Sequence, residues 1–205
     1  MRPFAKDRLL SVLYFFANIY GFFIIKYNGG MMKKFIKYEI IGFVFVCIIG
    51  TVGHFLYKWS GQAIIVGLFF PVNESIWEHL KLLFFPFLLY SLFEYKKICQ
   101  DRENFCLGKY VAVLSGMLTI LSIHYITKGA LGNRIEWVDI VSFFVGTAVA
   151  YLISYAVISN NLFVKIPKWV AITLWITKIA EFIIFTFMPP FIPLFQDPVN
   201  STFGI

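Results

Sequence analysis

A chain of 205 residues that is 60% hydrophobic, 20% aromatic and only 14% charged is composed for lipid, and its length holds one domain of five or six spans of about 20 residues each. The formal charge of +7 does not mark a nucleic-acid-binding protein, because the basic residues stand in short segments between apolar runs, where membrane orientation puts them. The partner that composition implies is the lipid bilayer, and no nucleic acid is expected.

Residues 1–30 read as an N-terminal extension ahead of a single transmembrane helical domain over 31–205. Within the extension, Leu9–Ile25 is apolar and barely long enough to span, yet it contains Asn18 and is followed by Lys26 and the Lys33, Lys34, Lys37 group. Either orientation of such a span translocates basic residues: the lysines in one case, Arg2, Lys6 and Arg8 in the other. A signal peptide would need a small-residue cleavage site that does not follow. Two readings stay open: a sixth helix, or a natural start at Met31 or Met32. In the second, Gly29-Gly30 would be a translated purine-rich ribosome-binding sequence.

Five strong spans follow: Glu39–Tyr57, Ile76–Tyr95, Tyr110–Thr127, Val138–Ser159 and Trp169–Met188. Lipid leaves no solvent to satisfy backbone polar groups, so each is expected to be a helix and the fold class all-α, a polytopic transmembrane bundle of five to six spans. With the first strong span entering from the cytoplasm, inner loops carry Lys33, Lys34, Lys37, Lys96, Lys97, Arg102, Lys109, Lys165 and Lys168. Outer loops then carry Lys58, Lys128 and Arg134, and the tail from Pro189 to Ile205 lies outside. Ala63–Val72 is too short to cross and fits a re-entrant or interfacial segment beside Trp59. Cys47 falls within a span while Cys99 and Cys106 fall in an inner loop, so no disulfide is expected, and the spacing is no zinc ribbon.

The segment Pro71-Val-Asn-Glu-Ser-Ile-Trp-Glu-His-Leu-Lys81 is the most distinctive. Ser75 followed three residues later by Glu78 is a capping box that starts a helix, which by itself gives Glu78 a structural role. It leaves Glu74, His79 and Lys81 unexplained. Together with His54-Phe-Leu-Tyr-Lys-Trp-Ser-Gly61 and Pro193-Leu-Phe-Gln-Asp-Pro198, this segment resembles an uncharacterised bacterial family of small multi-span membrane proteins catalogued as a domain of unknown function. The resemblance covers residues 32–205 and excludes the N-terminal thirty, which favours the late start. It implies a multi-pass protein of the bacterial cytoplasmic membrane and brings no activity.

The remaining polar residues gather by depth. His54 lies near the end of one span, His79 near the start of the next, His124 near the end of the third, and Asp139 opens the fourth. Alternating span directions put all four on one membrane face. Ionisable groups at that depth are costly and usually face the bundle interior. Ser142, Gly146, Ala150 and Ser154 recur every four residues after Asp139, Gly50 precedes His54 by one turn, and Gly116 precedes His124 by two. Small residues let helices approach closely, so these faces are expected to point into protein. Lys178 and Glu181 read as a local ion pair, and Asp197 as a turn residue in a tail able to fold back over the polar face.

Three functions remain compatible with this inventory. A non-catalytic membrane protein would bind a lipid, a small molecule, a peptide or a partner subunit through the outer pocket. A small-solute or proton-coupled transporter would use the same groups as a relay, although no inverted repeat is visible. A membrane-embedded hydrolase would hold zinc with His54, His79, His124 and Asp139, leaving Glu78 or Glu74 as general base toward a metal-bound water. The inventory of three His and one Asp is similar to that of the intramembrane hydrolases related to alkaline ceramidases. The chain lacks their His-x-x-x-His spacing and has too few spans.

Overall fold

The structure, a computed structural model, describes residues 30–99, 104–132, 135–163 and 165–205. The Leu9–Ile25 segment, Arg102 and Arg134 lie outside the described residues. Six helices follow in order: α1 (Gly30–Trp59), α2 (Ile64–Gly67), α3 (Ile76–Glu94), α4 (Phe105–Leu131), α5 (Glu136–Ser159) and α6 (Lys168–Phe187), with a wider five-residue turn, Tyr95–Cys99, extending α3. Five of them are long and apolar enough to cross a membrane. Each overlaps one of the five hydropathic spans, and α1 and α4 begin several residues earlier than hydropathy alone suggests.

Helix α3 is central: 72% of its spanning window is buried in protein, against 28% for α1 and 17% for α6. Trp77 and Phe84 on α3 pack with Trp175 and Phe182 on α6 and with Phe195 in the tail. Pro86 lies within α3, buried, in a setting where neighbouring helices tolerate proline in an apolar span. The exposed faces of α1 and α6 are branched apolar stripes, Ile40, Val44, Ile48 and Ile172, Ile176, Ile184, as lipid contact requires.

Helices α4 and α5 form an antiparallel hairpin. Gly132, at φ +74°, ends α4 in the left-handed conformation that glycine adopts without a Cβ clash. The hairpin closes tightly at Gly116 and Gly146: a Cβ on Gly116 would stand 2.6 Å from the Gly146 carbonyl oxygen. Ser142, Ala150 and Ser154 are fully buried along the same stripe of α5.

The apolar stretch Ala63–Val72 is the short helix α2 and its flanks. Ile64 and Ile65 are exposed while Gly67 is buried, and the Gly67 carbonyl accepts a hydrogen bond at 2.9 Å from the Lys81 ammonium.

Candidate functional site

The start of α3 is fixed by four polar contacts. Ser75 Oγ accepts from the Glu78 N–H at 3.3 Å, and the Ser75 N–H donates to Asn73 Oδ1 at 3.0 Å. Only half of the expected capping box forms: the Glu78 carboxylate turns to the Val72 N–H at 3.1 Å. The Trp77 N–H, otherwise an orphan of the first turn, donates to the Leu194 carbonyl at 3.1 Å. The chain before α3 and the tail after α6 are thus stitched together, and Asn73 Nδ2 adds a bond to the Gly204 carbonyl at 3.1 Å.

Glu74 projects from this loop into a gap between α1 and α3. Its two carboxylate oxygens face different imidazoles: Oε1 lies 3.9 Å from His54 Nε2, and Oε2 lies 3.4 Å from His79 Nε2. The His54 and His79 rings are 5.1 Å apart between centroids, and ligand atoms of all three residues fall within 4.8 Å of one another. Lys58, largely exposed, stands 4.0 Å from Glu74 Oε1. The hydrogen bond from His79, joined by the charges of His79, His54 and Lys58, outweighs partial burial and holds the Glu74 carboxyl at about 2. Glu74 is therefore an anion throughout the neutral range.

The tautomer of His79 is set by its other nitrogen. Nδ1 sits 2.8 Å from the Ser75 carbonyl oxygen, which can only accept, so Nδ1 carries hydrogen. Nε2 of a neutral His79 then presents a lone pair to the Glu74 carboxylate. Two lone pairs at 3.4 Å repel unless a cation stands between them, either a proton on Nε2 or a metal ion.

His124 and Asp139 take a different arrangement. His124 Nδ1 lies 2.8 Å from Asp139 Oδ1, joining α4 to α5. They pair with each other and stand apart from the three-residue cluster, so the four-ligand grouping expected from sequence depth divides into two sites. A cavity of about 190 Å³ connects the two neighbourhoods, with Glu74, His124, Lys128, Gln196, Asp197 and Ser201 among its walls. The tail roofs it. Asp197 is buried, and its Oδ1 accepts from the Val199 N–H at 2.7 Å. Gln196 bridges to Phe203, and the Ile205 N–H reaches the Thr186 carbonyl at 3.0 Å. Asp197 thus makes its turn within a tail that folds back over the polar end of the bundle.

Glu78 does not join this group. It is 2% exposed and bonded at 2.6 Å to Lys81, itself fully buried. The Lys81 ammonium also donates to the Gly67 carbonyl and, at 2.6 Å, to Thr186 Oγ1. All three of its donors are used. The arrangement ties α2, α3 and α6 together and leaves Glu78 poorly placed to serve as a general base. Lys178 and Glu181 pair on α6.

One cluster escapes the sequence reading. Lys109, which hydropathy places in an inner loop, lies inside α4, where it is 1% exposed. It binds Glu39 of α1 at 2.8 Å and Glu94 of α3 at 2.5 Å. Helix α4 begins at Phe105, so Lys109 is drawn into the bundle. The available signal was depth, since Glu39, Glu94 and Lys109 all lie near the span ends opposite the histidines.

Five apolar helices around these polar sites define the class: an all-α protein with the helices of a multi-pass membrane protein. More particularly, the chain belongs to the family described as a family of unknown function, DUF6512, whose model matches residues 11–205. That match takes in residues 11–31, which the motif resemblance left out, so the extent of the family lends no support to a start at Met31 or Met32. No curated protein and no solved structure matches the chain.

Proposed function

We propose that this protein is a multi-pass protein of the cytoplasmic membrane whose outer face binds a divalent transition-metal ion, zinc by the character of its donors, through His54, Glu74 and His79. The adjacent cavity receives a small ligand that completes the site. The observation that carries this reading is the convergence of His54, Glu74 and His79, whose ligand atoms lie within 4.8 Å of one another. His79 Nδ1 is turned to the Ser75 carbonyl, so that Nε2 faces the Glu74 carboxylate, where a metal ion could take the place of a proton. Two imidazoles and one carboxylate suit zinc and leave a position open for water or ligand. Tetrahedral zinc holds its ligand atoms about 3.3 Å apart, so a cluster whose ligand atoms lie within 4.8 Å of one another, with the two carboxylate–imidazole separations at 3.4 Å and 3.9 Å, needs its side chains to draw together by about 1.5 Å at most. The hydrogen bond from His79 to Ser75 supplies the outer support that zinc-binding histidines ordinarily have.

Elemental analysis of protein purified without added chelator tests the proposal. About one zinc per chain is expected, falling to background in His54→Ala, His79→Ala and Glu74→Gln. Metal content equal in wild type and all three variants overturns it.

A second reading, hydrolysis, is favoured by His124, which lines the same cavity and is paired with Asp139. A carboxylate on Nδ1 leaves Nε2 of His124 able to accept a proton from a metal-bound water. In that reading Asp139→Asn keeps the metal and loses turnover, and Glu78 has no role in the chemistry.

A further inference from the structure

The Glu39, Glu94 and Lys109 cluster is not used by the outer site, and 15 residues of α1 separate Glu39 from His54, about 22 Å of helix. Two carboxylates and one ammonium leave a net charge of −1 when all three are ionised. None of the three is more than 4% exposed. Phe35, Phe87, Phe105 and Tyr151 surround the ammonium, each ring centroid within 5.9 Å of Nζ. A lone buried negative charge in such a setting is very costly.

The hydrogen-bonding pattern shows where compensation is missing. Ser154 Oγ donates to Glu39 Oε1, the oxygen that Lys109 also holds. Glu39 Oε2, Glu94 Oε1 and the Tyr151 hydroxyl are buried with no hydrogen-bond partner among the described residues. The Tyr151 hydroxyl lies beside Gly42, one turn along α1 from Glu39. Among the described residues, the other titratable groups that face the cluster are two phenols and a thiol: Tyr38 and Cys47 on α1 and Tyr90 on α3, whose hydroxyl donates to the Tyr38 carbonyl. None of these described groups supplies a positive charge.

We propose that Glu39, Glu94 and Lys109 form a proton-binding site that holds one exchangeable proton on its carboxyl pair, at the end of the bundle opposite the histidines. The proton comes from water at that end. A hydronium ion converts one carboxylate to a carboxyl group and leaves water, so no other reactant is needed. The site is independent of the metal proposal, since it shares no residue with it.

Infrared difference spectroscopy of the purified full-length chain in lipid nanodiscs, recorded between neutral and alkaline pH, reads this directly. Wild type is expected to show a protonated-carboxyl stretching band at neutral pH that disappears on deprotonation. Glu39→Gln and Glu94→Gln each leave a neutral carboxylate–ammonium pair, so each should fold and each should lose the band. Lys109→Met, where it folds, should gain a second protonated carboxyl. The wild-type measurement decides without it. No such band in wild type, or the same band persisting in both glutamine variants, overturns the proposal. So does a wild-type spectrum showing only carboxylate bands that shift on adding sodium, which would mark a sodium site.

Discussion

The polar groups of this bundle fall into two kinds, and the contrast between the histidine cluster and the Glu78–Lys81 pair shows how to tell them apart. Around Lys81 every donor has an acceptor, the charges are matched one to one, and the partners come from three elements. Such a group holds helices together with its cation fully engaged, and only Glu78 Oε1 is left buried without a hydrogen-bond partner among the described residues. Around Glu74 the carboxylate is shared by two imidazoles at 3.4 Å and 3.9 Å, both longer than good hydrogen bonds, and all three side chains keep partial exposure. A buried cation with every donor used marks a staple, and ligand atoms that converge at loose distances beside a cavity mark a site.

Breaking the staple should have the largest effect. Lys81→Met leaves the Glu78 carboxylate buried without its cation, and unfolding in detergent should show a loss of about 3–5 kcal/mol. Adding Glu78→Leu should recover most of it, since an apolar pair of similar volume avoids the desolvation cost. A double variant no better than the single would mean that the pair does more than balance charge.

Glu78→Gln sharpens the comparison. From the capping box alone, glutamine should serve as well as glutamate. The structure changes that expectation, because the carboxylate is the counter-ion of a fully buried lysine. Stability should fall by about 1–3 kcal/mol with zinc content unchanged. Unchanged stability would return Glu78 to a simple cap.

The histidine cluster should respond in the opposite sense. His54→Ala and Glu74→Gln remove partly exposed groups, so metal-free stability should change by no more than about 1 kcal/mol. What should vanish is stabilisation by added zinc, about 2.7 kcal/mol for wild type at a hundredfold excess over Kd. A thermal shift with zinc that survives in either variant would detach the cluster from metal binding. Smallest of all, Asp139→Asn should keep both zinc and fold, because the His124–Asp139 pair lies outside the triad.

Much of the architecture was legible because lipid imposes strict rules. Five apolar runs gave five long helices, and the four-residue stripe from Ser142 to Ser154 marked a face that is buried, with the α4 and α5 backbones in close approach at Gly116 and Gly146. The pairing of polar groups was much less legible. Glu74 comes from an irregular loop, where no periodicity aims a side chain, yet it joins His54 to His79 while His124 takes Asp139 instead. Lys109 looked like an orientation charge because it borders an apolar run, and only the earlier start of α4 brings it against Glu39 and Glu94. The tail carries no span signal at all, although its bonds to Asn73, Trp77 and Thr186 close the cavity.

A metal ion between His54, Glu74 and His79 is tested most directly by X-ray absorption at the zinc edge of the loaded, purified chain. The expected spectrum has only nitrogen and oxygen neighbours at about 2.0–2.2 Å, with the outer-shell scattering of two imidazole rings, and that signal is lost in His54→Ala, which no longer retains zinc. A spectrum without imidazole scattering, or one that His54→Ala and His79→Ala leave unchanged, would contradict it.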